Sequence, residues 1–239
     1  DIYEEEVQKI KEEIDIKTAD NIEDLVLKCD VIILAVKPNV VKEALEPCKN
    51  LFDGNKLLIS IAAGVPTWVY KDILGKNSKI IRTMPNTPAL VGEGMTLIAY
   101  DENTRKEDIE KAKMLFECVG KVELLDEKLM NEVVALTSSS PAYVFMFIEA
   151  MADAAVLSGI TRDVAYKLAA QAVLGSAKMI LETGKHPGVL KDQVCSPGGT
   201  TIEAVSSLEK NGFRYAVIDA MNKCTKKAKE ISSLMGDRI

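Results

Sequence analysis

The sequence predicts an α/β domain with a largely parallel sheet, followed by an all-helical domain. Three observations carry this. Short apolar runs alternate with charged amphipathic stretches through the first half. From about Glu127 onward no stretch has strand character, and alanine-rich helical spacing takes over. Of the 239 residues 47% are hydrophobic at a net charge of −6, which is enough apolar material for a real core and argues against disorder. The boundary is expected near Asp126, dividing the chain into residues 1–125 and 126–239.

Each element follows from its local pattern. Val31 to Val36 (VIILAV), bounded by Asp30 and Lys37-Pro38, reads as a strand buried on both faces. Leu57 to Ile61 and Lys79 to Thr83 repeat the signal, Met95 to Ala99 returns to it, and Lys121 to Leu125 closes the series as an edge strand. Helices are expected over Ile22 to Lys28 after Asp20 and Asn21, over Val40 to Cys48, and over Thr67 to Leu74 after Pro66. Thr104-Arg105-Lys106-Glu107 has the spacing of a capping box opening a helix to about Cys118.

In the second half, Phe145, Ile148, Ala152 and Ala155 fall three and four apart, as do Leu168, Ala169, Ala172 and Val173. Phe213, Val217, Ala220, Met221, Cys224, Ala228, Ile231 and Met235 repeat the pattern. So much apolar helix with little to cover it argues for a homodimer, with a self-sufficient bundle as the alternative and larger assemblies built from dimers left open.

Composition also excludes. An acidic balance with 5% aromatic residues offers no platform for nucleic acid. No apolar run approaches the roughly 18 to 20 residues of a membrane span, and no signal-like start is visible, so a soluble cytoplasmic protein is expected. Five widely spaced cysteines without a CxxC, and one histidine, make no metal set and read as free thiols in a reducing compartment.

Ligands of an open parallel sheet bind beyond the carboxyl ends of its strands. Here those ends read Ala35-Val36-Lys37-Pro38, Ala62-Ala63-Gly64-Val65-Pro66 and Arg82-Thr83-Met84-Pro85-Asn86-Thr87-Pro88. Each is an ordinary way to end a strand. Together they leave a shelf of small residues where a dinucleotide can approach the backbone. The GxGxxG turn of such a domain is expected before Asp1, because the first glycine is Gly54.

Thr137-Ser138-Ser139-Ser140-Pro141-Ala142-Tyr143 breaks a helical pattern with four hydroxyls and a proline. Either the break frees polar groups for a ligand, or Ser140 caps the next helix at Pro141. His186, in a Gly/Pro turn, reads as structural. Cys195 to Val205 (CSPGGTTIEAV) runs a Pro-Gly-Gly turn into Thr200 and Thr201. Unpaired amides at a helix start suit a carboxylate or phosphate, although an ordinary N-cap fits the same letters.

In order along the chain, VIILAVKP, SIAAGVP, RTMPNTPALVGEGM, SSSPAYVFMFIEAMADAAV, GKHPGVLKDQVCSPGGTTIEAV and Gly212-Phe213 resemble pyrroline-5-carboxylate reductase. The resemblance implies a Rossmann-like N-terminal domain binding NADPH or NADH, its first β-α-β portion expected upstream of Asp1. It also implies a helical dimerisation domain, and hydride transfer to the C=N carbon of 1-pyrroline-5-carboxylate to give L-proline. Ala35, Val36, Lys37, Pro38, Ala62, Ala63 and Gly64 would then line the nicotinamide and ribose. Asn21 would reach the adenosine ribose, and Glu127 would lie near the cofactor. Ser196, Gly198, Gly199, Thr200 and Thr201 would hold the substrate, with Thr201 bonding the ring nitrogen as the catalytic hydroxyl.

The family usually carries glycine where this chain has Ser138 and, in many members, Ser140. Two other readings stay open on the letters. One is a related 3-hydroxy acid dehydrogenase, which needs a helical-domain lysine that the Thr137 to Ser158 stretch lacks. The other is an inactive dimeric fragment.

Overall fold

The computed structural model describes residues 3–52 and 54–236. The chain divides into two compact units, one drawn from residues up to Val134 together with those from Lys226 onward, the other spanning Ala135 to Thr225.

The first unit is built on five strands: β1 (Val31–Leu34), β2 (Leu57–Ser60), β3 (Lys79–Met84), β4 (Gly94–Tyr100) and β5 (Gly120–Leu124). They lie side by side in chain order, with β1/β2, β2/β3 and β4/β5 parallel and β3/β4 antiparallel. The period of two sorts their side chains to opposite faces. Leu58 and Ile80 join one core, with Val26, Val41, Leu45, Val69 and Tyr70 from the helices α2 (Ile22–Lys28), α3 (Val41–Leu45) and α4 (Thr67–Leu74). Leu57, Ile59, Ile81 and Ile98 face the other way, toward Ala112 and Phe116 of α5 (Lys106–Glu117). Helices therefore cover both faces of β2 and β3, and this is why those strands read as unbroken apolar runs.

Three local expectations need correction, and one further helix was not expected. The first strand stops at Leu34, and Ile33 is 50% exposed, so this strand is not buried on both faces along its length. The segment from Pro38 to Leu51 is a short α-helix between two 3-10 turns, with Pro47 in the second. The capping box at Thr104 does not form. Thr104 Oγ1 bonds Ile80 O at 3.2 Å and Asp101 Oδ1 at 3.2 Å, and α5 starts one residue later behind Arg105. Finally, a charged helix that had not been expected, α1 (Glu4–Ile14), precedes α2, with Val7, Ile10 and Ile14 three and four residues apart on one side. Glu4, Glu5 and Glu6 at its start and Lys11 near its end suit the helix dipole.

In the second half of the chain α6 (Ser140–Leu157), α7 (Arg162–Thr183), α8 (Pro187–Val194), α9 (Thr200–Lys210) and α10 (Phe213–Gly236) follow one another. Where α6 packs on α7, the fully buried residues are Ala152, Ala165 and Ala169, small enough for close backbone approach. Phe145, Met146, Leu157, Leu168 and Leu181 point outward and are more than half exposed.

The hydroxyl-proline run does not break the helix. Val134–Ser138 widens into a π turn that feeds α6, so Val134–Leu157 is continuous over 24 residues. By length and composition this helix could cross a membrane, and 6% of its most apolar window is buried within the chain.

Candidate functional site

The first unit offers a shelf at the carboxyl ends of β1 and β2. Leu34 pairs with Ser60, and Ile61 N donates to Leu34 O at 3.1 Å, so Ala35–Pro38 and Ala62–Gly64 leave the sheet together. Val36 and Ala62 root the two turns in the core, while Ala35, Lys37 and Ala63 face solvent. Gly64 takes φ +75°, and a Cβ placed there would meet nothing nearer than Ile231 Cγ2 at 4.0 Å. The turn thus needs glycine for its conformation and leaves open space above its backbone. Small exposed residues around bare peptide are a surface that a flat dinucleotide fits.

Buried polar groups hold this turn at both ends. Upstream, Ser60 Oγ lies 2.6 Å from Tyr70 Oη and accepts from Ala62 N at 3.2 Å, while Thr83 Oγ1 donates to Ser60 O at 3.0 Å. Burial pushes the Tyr70 phenol up to about 12, so it stays neutral. Downstream, Glu127 Oε1 accepts from Thr67 N at 2.7 Å and Thr67 Oγ1 at 2.8 Å, and faces Arg82 Nη1 at 3.3 Å. It thereby caps α4, whose own Pro66 cannot, and compensates a guanidinium whose side chain is 6% exposed. From α10, Ser232 Oγ donates to Gly64 O at 3.4 Å. At the end of β3, Asn86 Oδ1 accepts from Met95 N at 2.9 Å and ties that loop to β4. Asn21 is the N-cap of α2, with Oδ1 accepting from Asp24 N at 2.8 Å, which leaves its amide NH2 for a ligand.

The second unit holds the anion-binding candidate. Gly199 N donates to Ser196 O at 3.1 Å, with Pro197 and Gly198 between them and Gly198 at φ +64°, as a type II turn requires. Gly199 is then the N-cap of α9, and no side chain caps the helix. A Cβ on Gly199 would lie 2.3 Å from Ser196 Oγ, so a larger residue there would have to turn that hydroxyl aside. The amides of Thr200, Thr201 and Ile202 are left at the positive end of an 11-residue helix, with the hydroxyl of half-buried Thr201 among them. Neither threonine is spent as a cap.

Of the two readings of the hydroxyl run, the Ser140 cap does not form. Ser140 Oγ donates back to Leu136 O at 2.6 Å and caps nothing. Ser139 Oγ receives Cys224 Sγ at 3.2 Å, and Ser138 Oγ is buried without a hydrogen-bond partner. His186 does act structurally: its Nδ1 accepts from Gly188 N at 3.1 Å and caps α8.

Sequence reasoning named the shelf but missed Ser60 and Tyr70 behind it. The one local signal was a serine closing an otherwise apolar strand, with a tyrosine ten residues later.

Two family models match the chain: pyrroline-5-carboxylate reductase dimerisation over residues 127–231, and NADP oxidoreductase, coenzyme F420-dependent, over residues 3–64. Pyrroline-5-carboxylate reductase of Escherichia coli strain K12 is 50% identical over 228 residues, which is 95% of this chain and 85% of that protein. The solved pyrroline-5-carboxylate reductase of Coxiella burnetii superposes with a TM-score of 0.89 at 36% identity, covering 95% of this chain and 84% of that one. The pyrroline carboxylate reductase of Plasmodium falciparum, solved with NADP bound, gives 0.82 at 35% identity over 90% and 81%.

Proposed function

The chain belongs to the pyrroline-5-carboxylate reductase family, and from that premise we propose how its residues divide the work of the reaction. The activity is NADP-linked reduction of 1-pyrroline-5-carboxylate to L-proline, the last step of proline biosynthesis. When bound, the reduced cofactor supplies the hydride that reaches the C=N carbon. No nucleophile or metal is needed for that step, and the protein's share is position and electrostatics.

The turns of Ala35, Val36, Lys37 and Pro38, and of Ala62, Ala63 and Gly64, hold the nicotinamide and its ribose. The Asn21 amide turns to the adenosine ribose. Glu127 serves the same site indirectly, by fixing the start of α4 through Thr67 and holding Arg82. On the substrate side, the amides that open α9 take the carboxylate, with Ser196, Gly198 and Gly199 shaping the turn and Thr200 beside it. The Thr201 hydroxyl bonds the ring nitrogen and steadies it as it becomes an amine. One observation carries this division most directly: α9 begins on a glycine turn with no side-chain cap, leaving both threonines uncommitted.

Residues 1–125 are the cofactor domain in this reading and 126–239 the dimerisation and substrate domain. The protein is a homodimer, any larger assembly would be built from that dimer, and the compartment is the cytoplasm. Mixing the protein with NADPH and the pyrroline carboxylate should consume the absorbance of the reduced nicotinamide. A flat trace with substrate present refutes the reading.

A further inference from the structure

The Ala62–Gly64 turn is set by a hydroxyl lying wholly inside the core. Ser60 is 0% exposed at the last position of β2, and Tyr70 is 0% exposed one face over on α4. Their oxygens are 2.6 Å apart, and Ser60 Oγ also accepts the Ala62 amide at 3.2 Å. Two buried hydroxyls in an otherwise apolar cluster of Leu58, Val65, Val69 and Ile80 are costly unless each partners the other. The pairing limits where Ser60 Oγ can point. That in turn fixes the Ala62 peptide, and with it the exposed Ala63 peptide and the left-handed Gly64 beyond. Thr83 pins the carbonyl of the same serine from β3, so the strand end that carries the side chain is held as well.

We propose that Ser60, oriented by Tyr70, is a positioning residue for the cofactor: it holds the Ala62–Gly64 turn in the shape that receives the nicotinamide half. This rests on the reading that the turn is the cofactor shelf. Neither side chain is required to touch the ligand. What they supply is a turn that need not be ordered at the moment of binding.

The test compares the unsubstituted protein with Tyr70→Phe, Ser60→Ala and the double variant. Affinity for NADPH is read from the fluorescence of Trp68, the single tryptophan, which sits half exposed near the start of α4. Each single variant should bind NADPH about three- to tenfold more weakly. The KM for the pyrroline carboxylate and kcat at saturating NADPH should hold steady. Amide exchange across residues 61–64 should accelerate in both single variants. The double variant should be no weaker than Ser60→Ala alone, since one pairing is being removed.

A purely structural role would lower the melting temperature and leave the affinity of the folded protein where it was. Tyr70→Phe keeps the core volume and serves if Ser60→Ala does not fold. Unchanged NADPH affinity, or unchanged exchange at the turn, overturns the proposal. If the unsubstituted protein itself fails to bind NADPH, the functional reading falls instead, and the exchange measurement still decides whether the two hydroxyls set the turn.

Discussion

Thr201 sits at the second position of α9 with no capping duty, beside the amides of its own helix start. A hydroxyl that bonds the ring nitrogen only as charge changes there acts on the transition state more than on the bound substrate. Thr201→Ala should therefore lower kcat by about ten- to a hundredfold while NADPH affinity stays within twofold. Steady-state kinetics beside a binding titration checks this, and equal losses in both would assign Thr201 a structural part. Glu127 teaches the opposite lesson. Family resemblance placed it near the cofactor, and locally nothing in its neighbourhood says more. Its carboxylate is engaged with Thr67 and Arg82, sixty and forty-five residues upstream, where no pattern along the chain could have joined them.

At the scale of elements, close approach of backbones decides what the letters alone do not. Gly94 and Gly120 face each other where β4 and β5 begin, and a Cβ on Gly120 would lie 2.0 Å from Gly94 O. Gly120 also holds φ +150°. Gly120→Ala should cost at least about 3 kcal/mol, combining backbone strain with a contact that only strand separation relieves. Denaturant unfolding would show it as a lowered midpoint, and an unchanged midpoint would mean the two strands can part freely. Local signals worked best where one element satisfies itself. Thr67–Leu74 was legible to the residue from Pro66 and its apolar spacing. They failed where a partner came from elsewhere: Thr104 has the spacing of a cap, yet its hydroxyl is drawn to Ile80 O. The serines before Pro141 looked like a break, and the helix instead absorbs them by widening one turn.

At the scale of the molecule, α6, α7 and α10 carry many large apolar side chains open to solvent. Phe145, Met146, Leu157 and Leu181 are 63%, 69%, 91% and 82% exposed on helices inside the matched dimerisation segment. The protein should therefore sediment with the mass of two chains or a multiple at micromolar concentration, and its melting temperature should rise with concentration. A single-chain mass with a concentration-independent melt would contradict the homodimer. By itself the sequence determined the α/β-then-α order, the five strands, the small-residue shelf and the Pro-Gly-Gly entry to α9. Each of these rests on periodicity or on backbone freedom, which neighbouring residues specify among themselves. Only the tertiary structure decided that Ser60 pairs with Tyr70, that Glu127 caps α4, that Ile33 is half exposed and that Thr201 is free of capping. These depend on which polar groups meet across distant segments once the sheet has formed, and a buried donor or acceptor takes whichever partner the fold brings within reach.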